Sequence, residues 1–206
     1  MNAHPAGFSE SLGPGVDKGP ALWLVLTVLL GVSLLTAGLM QPLVGPAYAA
    51  ETPELAGTIR TGLWLAGALG PVLAVAKASV LGGVAWAVLV LGGREARYRR
   101  LFRALVLAEL ILVAQGLWVA GVLHVLGGVS SPLDLRVGTG LDVLFPDPST
   151  PLGALATVVT PFHAAWVAFL AWRFAVVTPS GPGLGTLAAL ACWLPGALLA
   201  TARAWG

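Results

Sequence analysis

Charged residues are scarce in this chain. Only 10 % of its 206 residues are charged, whereas soluble domains carry about 25 %. Hydrophobic residues make up 57 %, and the mean hydropathy is +0.89. This charge is too little to cover a water-facing surface, so lipid must cover part of it. The formal net charge of +2 also argues against nucleic-acid binding, which needs a basic face with base-stacking aromatics.

Sulfur chemistry and catalytic motifs are also missing. The single cysteine, Cys192, lies in an apolar run, which excludes a disulfide framework and a thiolate metal site. The chain has no G-x-S-x-G, no H-E-x-x-H and no phosphate-binding glycine loop followed by lysine. Three aspartates, Asp134, Asp142 and Asp147, match no EF-hand spacing. The sequence therefore predicts neither an enzyme nor a metal protein.

Basic residues are concentrated in one stretch, from Gly92 to Arg103. It holds five of the eleven basic residues of the chain: Arg94, Arg97, Arg99, Arg100 and Arg103. Apolar segments flank it on both sides. Because short loops rich in Lys and Arg stay on the cytoplasmic face, this cluster is expected to anchor the topology of the whole chain.

The apolar runs define the predicted fold. About twenty residues at 1.5 Å each cross a hydrocarbon core of about 30 Å. Five runs meet that length, at residues 21–40, 72–91, 101–126, 151–177 and 184–202. We expect an all-α, polytopic bundle of five transmembrane helices in a single domain over residues 21–206. Residues 1–20 are polar and rich in Gly and Pro, which predicts a disordered cytoplasmic tail.

Two features refine the second and fourth spans. Ala74, Ala78 and Gly82 repeat every four residues and predict a small-residue stripe for close helix contact. Pro161 lies inside the fourth span and should kink it.

The region between the first two spans has two interpretations. Prolines favour a loop over residues 41–60. A helical pattern from Pro53 predicts a short helix that lies in the interface or leads into the membrane, and Gly70-Pro71 breaks or kinks it. Alternatively, Ala47-Tyr48-Ala49 is the cleavage site of a secretory signal. The preceding apolar run exceeds the usual signal length of about 7–15 residues, so we favour an uncleaved first helix.

The distribution of Lys and Arg predicts the orientation. With the amino terminus in the cytoplasm, the inner side holds Lys18, the five clustered arginines and Arg173, and the outer side holds Arg60, Arg136 and Arg203. This bias favours five spans in a bacterial cytoplasmic membrane, with the amino terminus inside and the carboxyl terminus outside.

Five polar residues lie in or near the spans: Lys77, Glu109, Gln115, His124 and His163. Intramembrane charges raise the question of function, although a lysine near a helix end can also snorkel to the interface. Glu109 could be protonated, paired with Arg103 or Lys77, or line a polar cavity. If the second span begins near Val72, Lys77 and Glu109 lie at different depths, so we favour a local role in which Glu109 orients or packs with the arginine cluster.

His124 and His163 allow a further interpretation. Both should lie in or near the outer half of the bilayer, where a bis-histidine haem or a two-histidine metal site is conceivable. Polar contacts between packed helices are the simpler explanation. The prediction is accordingly that the protein carries no cofactor.

Three stretches together resemble the bacterial branch of the Yip1 domain family. Gly92-Gly93 leads through a basic loop into the third span. A second stretch runs from Ser131-Pro132-Leu133-Asp134-Leu135 through Gly140-Leu141 to Leu144. The fourth span carries Phe162 and Trp166 close together. The resemblance implies a multi-pass protein, usually of five spans, and no established common activity.

These observations predict an integral membrane protein with a structural or interaction role. Its expected partners are the lipid bilayer and other membrane proteins or a second copy of the chain, without nucleic acid. One alternative is a small transporter or channel-like subunit that uses Lys77, Glu109 and His163. The other is a bis-histidine haem protein.

Overall fold

The computed structural model describes residues 20–49, 53–127, 129, 138–145, 147, 149–178 and 181–203. Six α-helices occur in this part of the chain: α1 (Leu22–Ala49), α2 (Pro53–Leu91), α3 (Tyr98–Leu126), α4 (Pro151–Val158), α5 (Pro161–Val177) and α6 (Gly181–Arg203). A short 3-10 turn, Leu141–Val143, precedes α4. The all-α prediction is confirmed for the described residues. The predicted tail lies outside them, apart from Pro20.

Four of the helices are long and apolar enough to cross a membrane, and the count rises to five if α4 and α5 form one bent span. The protein is therefore a multi-pass membrane protein, as the apolar runs predicted. The bent pair corresponds to the predicted fourth span.

The first two helices are longer than the sequence suggested. Residues 41–49, predicted as a loop, continue α1. The helix predicted from Pro53 is not separate but leads into the second span, because α2 runs unbroken from Pro53 through Pro71 to Leu91. A break at Gly70-Pro71 was therefore wrong, and a kink there stays a prediction. Close packing on α1 accounts for the difference. A Cβ at Gly67 would lie 3.1 Å from the Ser33 carbonyl oxygen, so α1 packs directly against α2 next to Pro71 and stabilises the helix there.

A glycine ends α2 at the arginine cluster. Gly93 has a φ of 75°, the left-handed conformation that glycine adopts without strain. The Gly93 amide donates to the Val90 carbonyl at 2.9 Å, and the Arg94 amide donates to the Leu89 carbonyl at 3.0 Å. This Schellman motif satisfies carbonyls at the helix end, and the turn over residues 92–97 leads directly into α3.

The predicted kink in the fourth span is a complete break. Helices α4 and α5 meet at 60° across Val159 and Thr160. Pro161 occupies the first turn of α5, where its missing amide costs no intrahelical bond. Thr160 caps α5 by accepting a hydrogen bond from the His163 amide at 3.2 Å. A proline beside a good capping residue therefore starts a new helix.

The core lies among α2, α3, α5 and α6, and the start of α1 adds Val25 and Leu29 to it. Small residues allow these helices to approach closely, and Ala74 and Ala78 of the predicted stripe are buried. Large side chains fill the centre: Leu89, Leu101, Leu105, Trp166, Leu170 and Phe174. α1 packs mainly against α2 and also against α3.

Candidate functional site

Lys77 of α2 and Glu109 of α3 form an ion pair inside the bundle. The Lys77 Nζ lies 3.0 Å from Glu109 Oε1 and 3.1 Å from Oε2. Only the bond to Oε2 has hydrogen-bond geometry, since Oε1 has no hydrogen-bond donor among the described residues. The Glu109 side chain is 9 % exposed and that of Lys77 is 42 % exposed. The expectation that these residues lie at different depths was wrong.

The lengths of the two helix segments allow the two residues to meet. Lys77 lies about 21 Å before Leu91 on α2, and Glu109 lies about 16 Å after Tyr98 on α3, at 1.5 Å per residue. A lysine side chain can span the difference of about 5 Å. The Tyr98 hydroxyl donates to the Ser79 carbonyl at 2.8 Å, which joins the start of α3 to the last third of α2.

His163 lies at the break between α4 and α5. Its Nδ1 is 2.9 Å from the Thr160 Oγ1, and its side chain is half-buried. The cap on α5 holds the ring at the start of that helix. The break therefore places the His163 side chain next to residues 159–160, whose backbone groups would be hydrogen-bonded within a continuous helix.

A cavity of about 280 Å³ brings Lys77 and His163 together. Trp166 also lines it, and the Lys77 Nζ lies 5.4 Å from the centre of the Trp166 ring, within the range of a cation–π interaction. Most of the remaining wall is apolar: Leu81, Leu112, Val158, Cys192, Trp193, Pro195, Gly196, Ala197 and Leu199. The site thus has one charged end and an apolar body.

Two lining residues were not predicted to belong to a site. Trp166 is 2 % exposed, and its indole Nε1 has no hydrogen-bond acceptor in the described part of the chain. Cys192 donates a weak hydrogen bond from Sγ to the Leu81 carbonyl at 3.4 Å, which joins α6 to α2. Sequence alone marked Trp166 only through the family resemblance, and it offered no signal for Cys192.

Gln115 and His124 lie elsewhere. The Gln115 Nε2 donates to the Thr139 Oγ1 at 3.2 Å and ties α3 to the segment over residues 138–145. His124 is exposed, and its Nδ1 lies 3.0 Å from the Ala120 carbonyl oxygen of its own helix. His124 and His163 therefore contact different residues, Ala120 and Thr160. The haem hypothesis stays a prediction.

The segment over residues 138–145 docks on the helix break. The Leu141 amide donates to the Val159 carbonyl at 3.1 Å. A Cβ at Gly140 would lie 2.3 Å from the same oxygen, so only glycine fits at this distance. This contact satisfies a carbonyl that the break leaves without a helical partner.

The arginine cluster spans the turn over residues 92–97 and the start of α3. Arg94 and Arg97 lie in the turn, and Arg99, Arg100 and Arg103 lie in the first turns of α3. All five are exposed except Arg100, which is half-buried. They form a basic surface between the end of α2 and the start of α3.

The chain matches no known family model, and no characterised protein or solved structure proved similar to it. The resemblance to the Yip1 domain family therefore stays a prediction. Among the described residues, no group of three or more His, Cys, Asp or Glu side chains is placed to hold a metal ion.

Proposed function

We propose that the protein is a small membrane transporter or channel-like protein, and that Lys77, Glu109 and His163 form its polar site. The ion pair beside the cavity is the observation that carries this proposal. An ion pair used only for packing is a poor way to stabilise a bundle, because apolar side chains of similar volume are often as good or better. Intramembrane charges are rare and mark solute or ion pathways.

The helix break supports the same proposal. Discontinuous helices are typical of transporter binding sites, where unwound backbone lines a cavity near the bilayer midplane. Here the break between α4 and α5 places His163 on the cavity that Lys77 also lines. The two features come from different helices, yet they meet at one site.

Proton movement across liposomes tests the function without knowledge of the solute. The purified protein is reconstituted with a pH-sensitive dye inside, and a potassium gradient with valinomycin sets the membrane potential. We expect proton entry above that of empty liposomes, and at least a tenfold loss in Glu109→Gln. Glu95→Gln, which removes an exposed carboxylate in the turn, is the matched control and should behave as the parent.

Parent flux at the level of empty liposomes, or flux that Glu109→Gln leaves unchanged, would contradict the transport proposal. The second candidate would then stand: a structural or interaction component of the bacterial cytoplasmic membrane, similar to the Yip1 family. The exposed arginine turn favours this role, since basic side chains next to a membrane helix attract anionic lipid and partners. Crosslinking in native membranes followed by mass spectrometry tests it, and the absence of any reproducible partner or self-crosslink would remove it.

The orientation is part of both proposals. The arginine turn favours a cytoplasmic amino terminus and an external carboxyl terminus. Reporter fusions at Met1 and Gly206 should therefore report opposite sides of the membrane.

A further inference from the structure

The polar end of the cavity holds one charged donor. Lys77 lines the cavity and contributes an ammonium group that is paired with Glu109. Trp166 is only 2 % exposed, so its ring closes the wall and its N–H does not face the cavity. A ligand with an acceptor oxygen would bind at the Lys77 ammonium group.

The apolar body of the cavity indicates the rest of the ligand. Leu81, Leu112, Val158 and Leu199 contribute aliphatic side chains, and Trp193 adds an aromatic ring. The volume of about 280 Å³ is at the lower end of ligand pockets, which span about 300–1,000 Å³. A short hydrocarbon chain on an oxyanion fits both the size and the polarity.

Charge balance sets a condition on such an anion. Lys77 is already neutralised by Glu109, and Glu109 lies behind it rather than on the described cavity wall. Helix α1 contains no charged residue. The titratable groups that the other helices add at the cavity are His163 of α5 and Cys192 of α6. One lysine cannot balance two carboxylates in a medium of low dielectric constant, so one proton must enter with the anion.

We propose that the cavity binds a small carboxylate with an apolar tail, together with one proton taken up by Glu109. Hydronium or a buffer acid in the surrounding solution gives up a proton to Glu109, which becomes neutral. The Lys77 ammonium group then pairs with the ligand carboxylate. The net charge of the site is zero before and after binding. This inference rests on the proposed function and names the solute class of the same site.

Binding of radiolabelled hexanoate to the purified protein in detergent tests the inference at pH 5.5 and 7.5. Hexanoate is mainly ionised at both values. Linkage to one proton predicts affinity up to about 100-fold higher at pH 5.5. Glu109→Gln should bind with nearly the same affinity at both pH values, because its amide needs no proton. Lys77→Met should lose at least tenfold at pH 5.5.

Two further measurements define the chemistry. Calorimetry in buffers of different ionisation enthalpy should show about one proton taken up per hexanoate by the parent and none by Glu109→Gln. Hexanol and hexylamine, which match the tail but not the charge, should bind at least tenfold more weakly than hexanoate.

Fatty acid from the membrane is a second source of the same chemistry. A palmitate arm distinguishes it: tighter binding of palmitate with the same pH dependence indicates a lipid source, and tighter binding of hexanoate indicates a free short acid.

The inference would be overturned if neither hexanoate nor palmitate binds. It would also be overturned if the parent binds with no pH dependence, or if Glu109→Gln binds with a pH dependence. The result is separable from the transport proposal. The carboxylate and the proton together carry no net charge, so the liposome assay is repeated with hexanoate outside the liposomes. Proton flux without carboxylate binding removes only the solute class. Carboxylate binding without proton flux above that of empty liposomes, with or without hexanoate, removes only transport.

Discussion

Replacing the lysine of the ion pair should lower the free energy of unfolding more than replacing the glutamate. Lys77→Met leaves a carboxylate whose side chain is 9 % exposed, whereas Glu109→Gln leaves an ammonium group on a side chain that is 42 % exposed. The lysine can turn its ammonium group toward water, but the glutamate has no comparable route. The two single substitutions therefore probe the same contact with unequal consequences.

Magnitudes follow from that difference in burial. Breaking a buried pair costs about 3–5 kcal/mol, but protonating a glutamate at pH 7 costs about 3.7 kcal/mol in water. Protonation therefore limits the loss in Lys77→Met, and we expect about 2–4 kcal/mol. The exposure of the lysine reduces the cost of Glu109→Gln to about 1–2 kcal/mol. The double variant leaves neither charge and should be more stable than the sum of the two losses predicts, by about 1–3 kcal/mol.

The assay is unfolding of the purified protein by SDS in mixed micelles, followed by tryptophan fluorescence, for the parent, both single variants and the double variant. Glu95→Gln serves as the control and should change the free energy of unfolding by less than about 0.5 kcal/mol. Equal losses in the two single variants, or strictly additive losses in the double variant, would refute the reasoning.

Three further predictions concern the helix break and its approach. Gly153→Ala should lower the free energy of unfolding by about 1–3 kcal/mol, because the new Cβ would overlap the Asp147 carbonyl oxygen at the start of α4. The control is Gly183→Ala, where a Cβ meets open space, and it should be neutral in the same unfolding assay. Thr160→Val should lose about 1 kcal/mol because it removes the cap on α5, whereas Thr160→Ser should retain most of it. Hydrogen bonds from the hydroxyl and amide of Ser149 hold the pKa of Asp147 below its ordinary value of 3.8. The stabilisation from these bonds is therefore present above that value and is lost as the pH falls through the lower folded pKa. Amide exchange near α4 should be constant from pH 7 to 5 after correction for intrinsic rates; a rise within that range would contradict the assignment.

Periodicity and apolar length predicted the large features of the fold. Runs of about twenty apolar residues identify spans because backbone polar groups in lipid require helices. Ala74 and Ala78 were predicted to face another helix and are buried, since the spacing of four places them on one side. Pro161 was predicted to disturb its span, and Thr160 beside it turns the disturbance into a break.

The ion pair was not predicted because it depends on how two helices pack against each other. The expectation of different depths depended on a second span that begins near Val72, whereas α2 begins at Pro53, which places Lys77 in the interior of the helix. Pro71 contributed to the error, because packing on α1 outweighs the local tendency of proline to end a helix. The cavity joins residues of α2, α3, α5 and α6 with the end of α4, so no local pattern could show it.

The central claim is that Lys77 and Glu109 are paired within the membrane, and solid-state NMR tests it most directly. The chain has only two lysines, Lys18 and Lys77, so ¹⁵N-lysine labelling gives two side-chain signals. With ¹³C-labelled glutamate carboxyls, protein in lipid bilayers should show strong nitrogen–carbon dipolar dephasing of one lysine signal. That dephasing should vanish in Glu109→Gln and persist in Glu95→Gln. Dephasing that is absent in the parent, or unchanged in Glu109→Gln, would contradict the claim.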